Sequence, residues 1–345
     1  MKTIIKITST ILGLIALYFI FMTVTDFRPK EIISLTADQT TTNSIMKESI
    51  QVTTFNIGYA TLDENADFFM EGGKQSKAES KDVVLNNLEK ITSFLVEQDS
   101  DIYLLQEVDQ KSLRTKNVNQ YDYIRENFNK YESIYAVNYK VPWVPVPIFK
   151  PYGYVNSGIV MLSKFQGISN RYQFPGEEAW PRQLALLDRC FTETRYDYHN
   201  QELIVLNVHM SAYDSGGVIR EQQVKYLKEH LEKLKQDNAY VIVGGDFNHE
   251  LPGTNADDFN TGPKPDWLKT MDTDFEGYSW YVDDKQPTSR SMEQPYKKGE
   301  NYECIIDGFL LSDNIEVTSV THHNLEFKNS DHNPVTIECI LKKTP

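Results

Sequence analysis

The stretch Tyr240-Val241-Ile242-Val243-Gly244-Gly245-Asp246-Phe247-Asn248 constrains the fold of this chain more than any other. Its first four residues are mostly β-branched and apolar, the composition of a buried strand. Two glycines then let the backbone turn at little steric cost. Asp246 and Asn248 follow, two positions apart and so on one side of an extended chain. The carboxylate can orient a water or take its proton, and the amide can donate to an anionic oxygen. Both residue types are also ordinary turn formers, so the stretch needs company before it names a chemistry.

That company is scattered along the chain. Polar groups recur at the C-terminal ends of apolar strands: Asn56, Glu107, Asn156, His209, Asp246 with Asn248, and Asp307. A further group, Ser330-Asp331-His332-Asn333-Pro334, precedes the last strand instead. Strand ends gather at one rim of a packed sheet, so these residues can converge despite their separation.

Periodicity supplies the frame. Strands are expected over 50–56, 101–106, 133–138, 157–163, 240–243, 302–311, 315–321 and 335–341, with a long hairpin over 184–198 and 202–210. Helices are expected over 81–96, where Val84, Leu88, Ile91 and Leu95 share a face, near 121–128, and over 219–236. In the last of these, Val224, Leu227, Leu231 and Leu234 form the stripe, which leaves His230 solvated, while Arg220 and Gln223, at the start of the helix after His209, either support the site or join the solvated face. Segments 61–80, 251–266 and 282–300 read as loops. Val141 to Phe149 is apolar but broken by three prolines, so it reads as a hydrophobic loop, either folded on the core or docked on a membrane or an apolar substrate.

At 345 residues with 40% apolar and 24% charged, the chain supports one large two-sheet domain. A net charge of -14 argues against a broad basic surface for long nucleic acid. Cys190, Cys304 and Cys339 have no metal-type spacing and read as buried free thiols, the alternative being a Cys304–Cys339 pair if their strands are neighbours.

Residues 7–25 are 19 consecutive uncharged positions, preceded by Lys2 and Lys6. That length spans a bilayer, and the positive flank places the start in the cytoplasm. Residues 1–26 therefore read as an N-terminal signal anchor, 27–49 as a polar stalk and 50–345 as the catalytic domain, placed outside the cell membrane, or secreted if the segment is cleaved.

The set Thr54-Phe55-Asn56, Leu105-Gln106-Glu107, Ser157-Gly158, Asn207-Val208-His209, Gly245-Asp246-Phe247-Asn248, Ile306-Asp307 and Ser330 to Pro334 resembles the endonuclease/exonuclease/phosphatase superfamily, from about 50 to 341 and in family order. Its members include DNase I-like nucleases, apurinic-site endonucleases, neutral sphingomyelinases and inositol polyphosphate phosphatases. The resemblance implies a four-layered α/β sandwich, two mostly antiparallel sheets flanked by helices. It also implies Mg²⁺, with Mn²⁺ as an alternative, held by Glu107 with Asn56 and Asp331. By the same resemblance His332 pairs with Asp307 on the base side, Asp246 orients or deprotonates the attacking water, and His209 stabilises the transition state or protonates the leaving oxygen. Asn248, His209 and Asn156 are expected to hold the phosphate.

These readings lead to a metal-dependent phosphoester hydrolase, a tethered extracellular phosphodiesterase acting on a phospholipid headgroup or a small phosphodiester. The alternatives are an extracellular DNase-like endonuclease and an inactive surface protein that binds phosphorylated ligands. No protein partner is evident.

Overall fold

The computed structural model describes residues 1–341 apart from 213, 215, 238, 261–263, 266 and 272, so part of the loop expected over 251–266 lies outside the described residues. Helix α1 (Lys2–Thr25) is followed by strands β1 (Ile32–Leu35) and β2 (Ser49–Asn56), helix α2 (Lys81–Gln98), strand β3 (Ile102–Asp109) and helix α3 (Gln120–Asn127). Then come β4 (Glu132–Val144), β5 (Gly153–Ser163), β6 (Ile168–Gln173), β7 (Cys190–Tyr198), β8 (Gln201–His209) and helix α4 (Val218–Gln236). Strands β9 (Tyr240–Asp246), β10 (Tyr278–Tyr281), β11 (Ser289–Arg290), β12 (Glu303–Cys304), β13 (Asp307–Ser312), β14 (Ile315–His322) and β15 (Val335–Leu341) complete the chain.

One sheet has the order β1-β6-β7-β8-β9-β13-β10 and the other β14-β15-β2-β3-β5-β4. Pairing is antiparallel except between β2 and β3 and between β8 and β9. The facing sides bury Val52, Leu104, Met161, Val205, Ile242, Leu311 and Ile337 in one core. Leu227, Leu231 and Leu234 of α4 cover the outer face of the first sheet. Val84, Leu88, Ile91 and Leu95 of α2 cover the outer face of the second. The expected four layers are present. α2 starts where the Ser80 side chain caps the amide of Val83 at 3.2 Å, with Asp82 in the first turn favouring the positive end of the helix dipole.

A polar clamp joins the sheets. Gln106 donates to Asn207 Oδ1 at 2.7 Å, and Asn207 donates to the carbonyls of Leu105 and Val160 at 3.2 and 2.9 Å. Both side chains are fully buried, so their bonds cannot be replaced by water. Asn207→Ala should lower the unfolding free energy by about 2–4 kcal/mol. Urea denaturation checks this, and a negligible change would refute the clamp.

Several expectations are corrected. The segment expected as a stalk is built into the domain: β1 pairs with β6 at the sheet edge, Gln39 bridges to Ser133, and Ile45 enters the core. The expected strand over 184–198 starts only at Cys190, after a short 3-10 turn over Arg182–Ala185, and its outer neighbour β6 was not foreseen. β6 is half polar, and its alternation is weak because one face is only partly covered. Val141 to Val144 continue β4 rather than joining a loop, since β4 is the outermost strand and Pro142 needs no inward hydrogen bond there. Arg220 and Gln223 are buried, and Gln223 holds the amide and hydroxyl of Ser211, both at 2.9 Å. His230 is bonded to Glu193 at 2.5 Å instead of being solvated. The three cysteines are free and buried.

Candidate active site

Strand direction decides what meets. β2 with β3, and β8 with β9, run parallel within their sheets, so Asn56, Glu107, His209 and Asp246 arrive at one rim. Asp307 begins β13 rather than ending a strand, yet it stands opposite Asp246 because β13 runs antiparallel to β9. Residues 330–333 reach the same rim because β15 runs antiparallel to β2 and pairs Val335 with Thr54.

At this rim Asn56 Nδ2 donates to Asp246 Oδ2 at 2.9 Å and stands 3.4 Å from His332 Nε2. His332 Nδ1 bonds Asp307 Oδ2 at 2.8 Å. Ligand-capable atoms of Asp246, Asp307 and His332 all lie within 4.8 Å of one another. His209 Nε2 is 3.6 Å from Asp246 Oδ2 and 3.8 Å from Glu107 Oε1, and its Nδ1 is 3.4 Å from Asn138 Nδ2. An amide donating to Nδ1 leaves the ring proton on Nε2, facing the carboxylates. The Asn248 backbone N–H donates to Asp246 Oδ1 at 2.8 Å, and its side chain donates one hydrogen to the Met210 carbonyl at 2.9 Å, leaving the second without a partner among the described residues.

Glu107 is positioned by a device that local pattern does not announce. The pairing of β3 with β5 slips between Leu105 and Val108, and Glu107 takes φ 60°, a left-handed conformation costing a non-glycine residue roughly 1–2 kcal/mol. The bulge turns its carboxylate into the cleft. Strain held at a site by its surroundings is a common mark of function.

The electrostatics divide the histidines. Burial pushes His209 well below the ordinary imidazole value, helped by the charges of Arg189 and His332. For His332 burial acts the same way, but Asp307, through charge and hydrogen bond, outweighs it and holds the ring well above its usual value. Burial, followed by the charge of Asp331, pushes Glu107 up to about 8. Burial also raises Asp331, against the opposing pull of His332 and Arg290.

The part-buried carboxylate of Glu107, raised by its burial and then by the charge of the buried Asp331, forms with it and with Asn56 of the same rim a set of hard oxygen donors. This set fits a hard divalent cation such as Mg²⁺ or Mn²⁺. Gly58 keeps it tight. At φ +52° an added Cβ would come 2.6 Å from Asp331 Oδ1 and 2.9 Å from Ser330 Oγ. Gly58→Ala should therefore displace Asp331 and weaken divalent binding by about tenfold, a loss of roughly 1.4 kcal/mol measurable by titration calorimetry. Unchanged affinity would remove Asp331 from the donor set.

Glu107, His209, Asp246, Asn248, Asp331 and His332 line a cleft of about 560 Å³, with Asn56 and Asp307 bonded behind Asp246 and His332. Asn156 is not among its walls: it lies within β5, opposite Lys140, and its amide bonds Gln110 Oε1 at 3.2 Å. The Asn156 expectation is therefore corrected, since β5 begins at Gly153 and carries this side chain away from the rim. Asn138, Arg189 and Arg290 were missed. Arg189 and Arg290 line the cleft, and each keeps a buried nitrogen without a hydrogen-bond partner among the described residues. Lone arginines in loops and an Asn in mid-strand carry no local signal.

The fold is similar to an endonuclease/exonuclease/phosphatase from Beutenbergia cavernae DSM 12333, at 14% identity and TM-score 0.57, covering 87% of this chain and 73% of the other. It is also similar to humanized D. rerio TDP2, at 12% identity and TM-score 0.53 over 85% and 99% of the two chains. The human Nocturnin catalytic domain, with bound sulfate anion, matches at 14% identity and TM-score 0.53 over 88% and 97%. None of the curated proteins matches the sequence. The model of the Endonuclease/Exonuclease/phosphatase family matches residues 53–332, which include Asn56, Glu107, His209, Asp246, Asn248, Asp307, Asp331 and His332, and the chain belongs to that family.

Proposed function

We propose that this protein is a divalent-metal-dependent phosphodiesterase held at the outer surface of a membrane by α1. The observation that carries the hydrolase reading is the Asp307–His332 pair at 2.8 Å, set beside the Asn56-bonded carboxylate of Asp246. Asp246 orients the attacking water and accepts its proton. His332, kept cationic by Asp307, stabilises negative charge on the phosphoryl oxygens as the water attacks in line with the leaving oxygen. The Nε2 proton of neutral His209 goes to the leaving oxygen, and the second amide hydrogen of Asn248 holds a non-bridging oxygen. Glu107, Asp331 and Asn56 would hold the cation, which when bound supplies Lewis-acid stabilisation of phosphoryl charge.

The tether reading rests on α1, a helix long and apolar enough to cross a membrane, with a mean hydropathy of 2.1 over its most apolar 18 residues. A lipid headgroup or small phosphodiester fits the net charge of -14 better than DNA. The nuclease alternative draws on the similar fold of D. rerio TDP2 complexed with single strand DNA product, at 12% identity and TM-score 0.53. An inactive binding protein would have no need for the complete set of Glu107, His209, Asp246, Asp307 and His332. The test is hydrolysis by the full chain in detergent, offered sphingomyelin, phosphatidylcholine, bis-p-nitrophenyl phosphate and plasmid DNA with Mg²⁺ or with chelator. Mg²⁺-dependent turnover supports the reading. A folded protein that binds Mg²⁺ and turns over none of them overturns it.

A further inference from the structure

The tethered phosphodiesterase just proposed leaves open which way its cleft faces. We infer that the cleft opens onto the leaflet from which α1 emerges, and that loop 145–149, with Trp143 and Trp180, sits in the headgroup and upper acyl region of that leaflet. This rests on reading α1 as a span.

The C-terminal turns of α1 lean on the domain. Tyr18 Oη donates to the Trp143 carbonyl at 3.1 Å, Trp180 Nε1 donates to Thr23 Oγ1 at 3.3 Å, and Met22 is buried among Tyr139, Val141, Val144 and Leu184. The helix before these contacts, Lys2 to Leu17, is only roughly 24 Å long at 1.5 Å per residue. A hydrocarbon core is about 30 Å thick and needs about 20 apolar residues. With Lys6 held at the far interface, the uncharged run must use residues 18–25 to finish the crossing. The domain surface touching those residues therefore lies at the lipid boundary.

That surface is apolar where water would otherwise meet it. Ile148 is 79% exposed, Phe149 97%, Trp180 58% and Val146 47%. Tryptophans at this level are characteristic of a membrane interface. Arg28 and Arg182 line the cleft, 65% and 66% exposed and paired with Asp26 at 2.9 Å and Glu178 at 3.5 Å, and can exchange these surface partners for lipid phosphates.

The cleft begins where the helix ends. Asp26, Phe27, Arg28 and Pro29 form one wall of the same cleft that holds Glu107, His209 and Asp246. Four residues of chain reach at most about 14 Å, so the mouth lies within that distance of the end of α1. A phosphodiester in the headgroup layer is thus within reach of the rim while its acyl chains stay in the leaflet. A soluble polymer would have to enter between domain and bilayer.

The test places an environment-sensitive nitrobenzoxadiazole probe on Phe149→Cys in the full chain, reconstituted in phosphatidylcholine nanodiscs. The native cysteines are buried, so labelling is selective. Asn200→Cys, exposed at the β7–β8 turn on the opposite rim, is the control. The inference expects blue-shifted emission at 149 that loses about half its intensity to lipids nitroxide-labelled near the headgroup, with no such change at 200. Emission at 149 as in water, or equal quenching at both positions, overturns it. The double variant Ile148→Ser/Phe149→Ser, outside the cleft, should lower turnover of bilayer phosphatidylcholine about tenfold and leave bis-p-nitrophenyl phosphate hydrolysis unchanged. Equal turnover of the bilayer substrate would also overturn it. A lipid-embedded probe without hydrolysis of either substrate supports the docking and removes the phosphodiesterase reading, so the two failures are distinguishable.

Discussion

His332→Ala is expected to lower kcat/KM on bis-p-nitrophenyl phosphate by about 10³-fold, or ~4 kcal/mol of transition-state stabilisation. The ring is the partner of a buried carboxylate, and its removal strips Asp307 of the bond to Oδ2 when Oδ1 has no partner among the described residues. The variant should therefore lose stability as well, about 1–3 kcal/mol, because a buried acceptor is left unsatisfied. Asp307→Asn separates the two effects. It can keep a hydrogen bond to the ring while removing the charge that holds His332 cationic, so activity should fall by about 10–100-fold with little change in melting temperature. Steady-state kinetics beside thermal melts of both variants decide the matter. Near-normal turnover in His332→Ala would remove this residue from the mechanism.

Glu107→Gln should stabilise the metal-free protein and abolish its activity. Burial first, and then the charge of Asp331, lift this carboxyl from its ordinary 4.5 to about 8. A carboxyl raised on folding contributes stability that is fully present below its unfolded value and is lost as pH rises through its folded value. The chelated wild-type protein should thus lose stability between about pH 4.5 and 8, the window set by these two values. Because the side chain is 15% exposed, the loss is taken as only about 1–2 kcal/mol, a few degrees of melting temperature. Gln carries no charge at any pH, so the variant should not show that decline. Added Mg²⁺ should raise the melting temperature of the wild type at pH 8 and leave the variant where it was. A variant that melts like the wild type under chelation and still responds to Mg²⁺ would show that Glu107 is not a ligand.

Much of this architecture was legible in the chain because its signals are local. The apolar stripe of Val84, Leu88, Ile91 and Leu95 announces α2, and the β-branched run before Gly244 announces β9. Other elements were hidden by their surroundings. β1 was hidden because its four residues, Ile32, Ile33, Ser34 and Leu35, are too short a run to show a period within a segment that is otherwise polar, and only its pairing with β6 makes it a strand. Pro142 argued for a loop, but an outermost strand tolerates proline. The buried Arg220 and Gln223 belong to a helical face that looks solvated until the loop after His209 folds over it.

By itself the sequence determined the chemistry available: which carboxylates, amides and imidazoles end the apolar runs, in what order, and that these groups match one family. Convergence was decided only in three dimensions. Parallel pairing of β2 with β3 and of β8 with β9 brings Asn56, Glu107, His209 and Asp246 to one rim. Antiparallel pairing delivers Asp307 there from the start of a strand. A one-residue irregularity aims Glu107 inward, while an earlier start of β5 takes Asn156 away. Period-two alternation tells which residues share a face, but not which strand lies alongside, in which direction or in which register. Those are properties of long-range pairing, set by burial across two sheets at once.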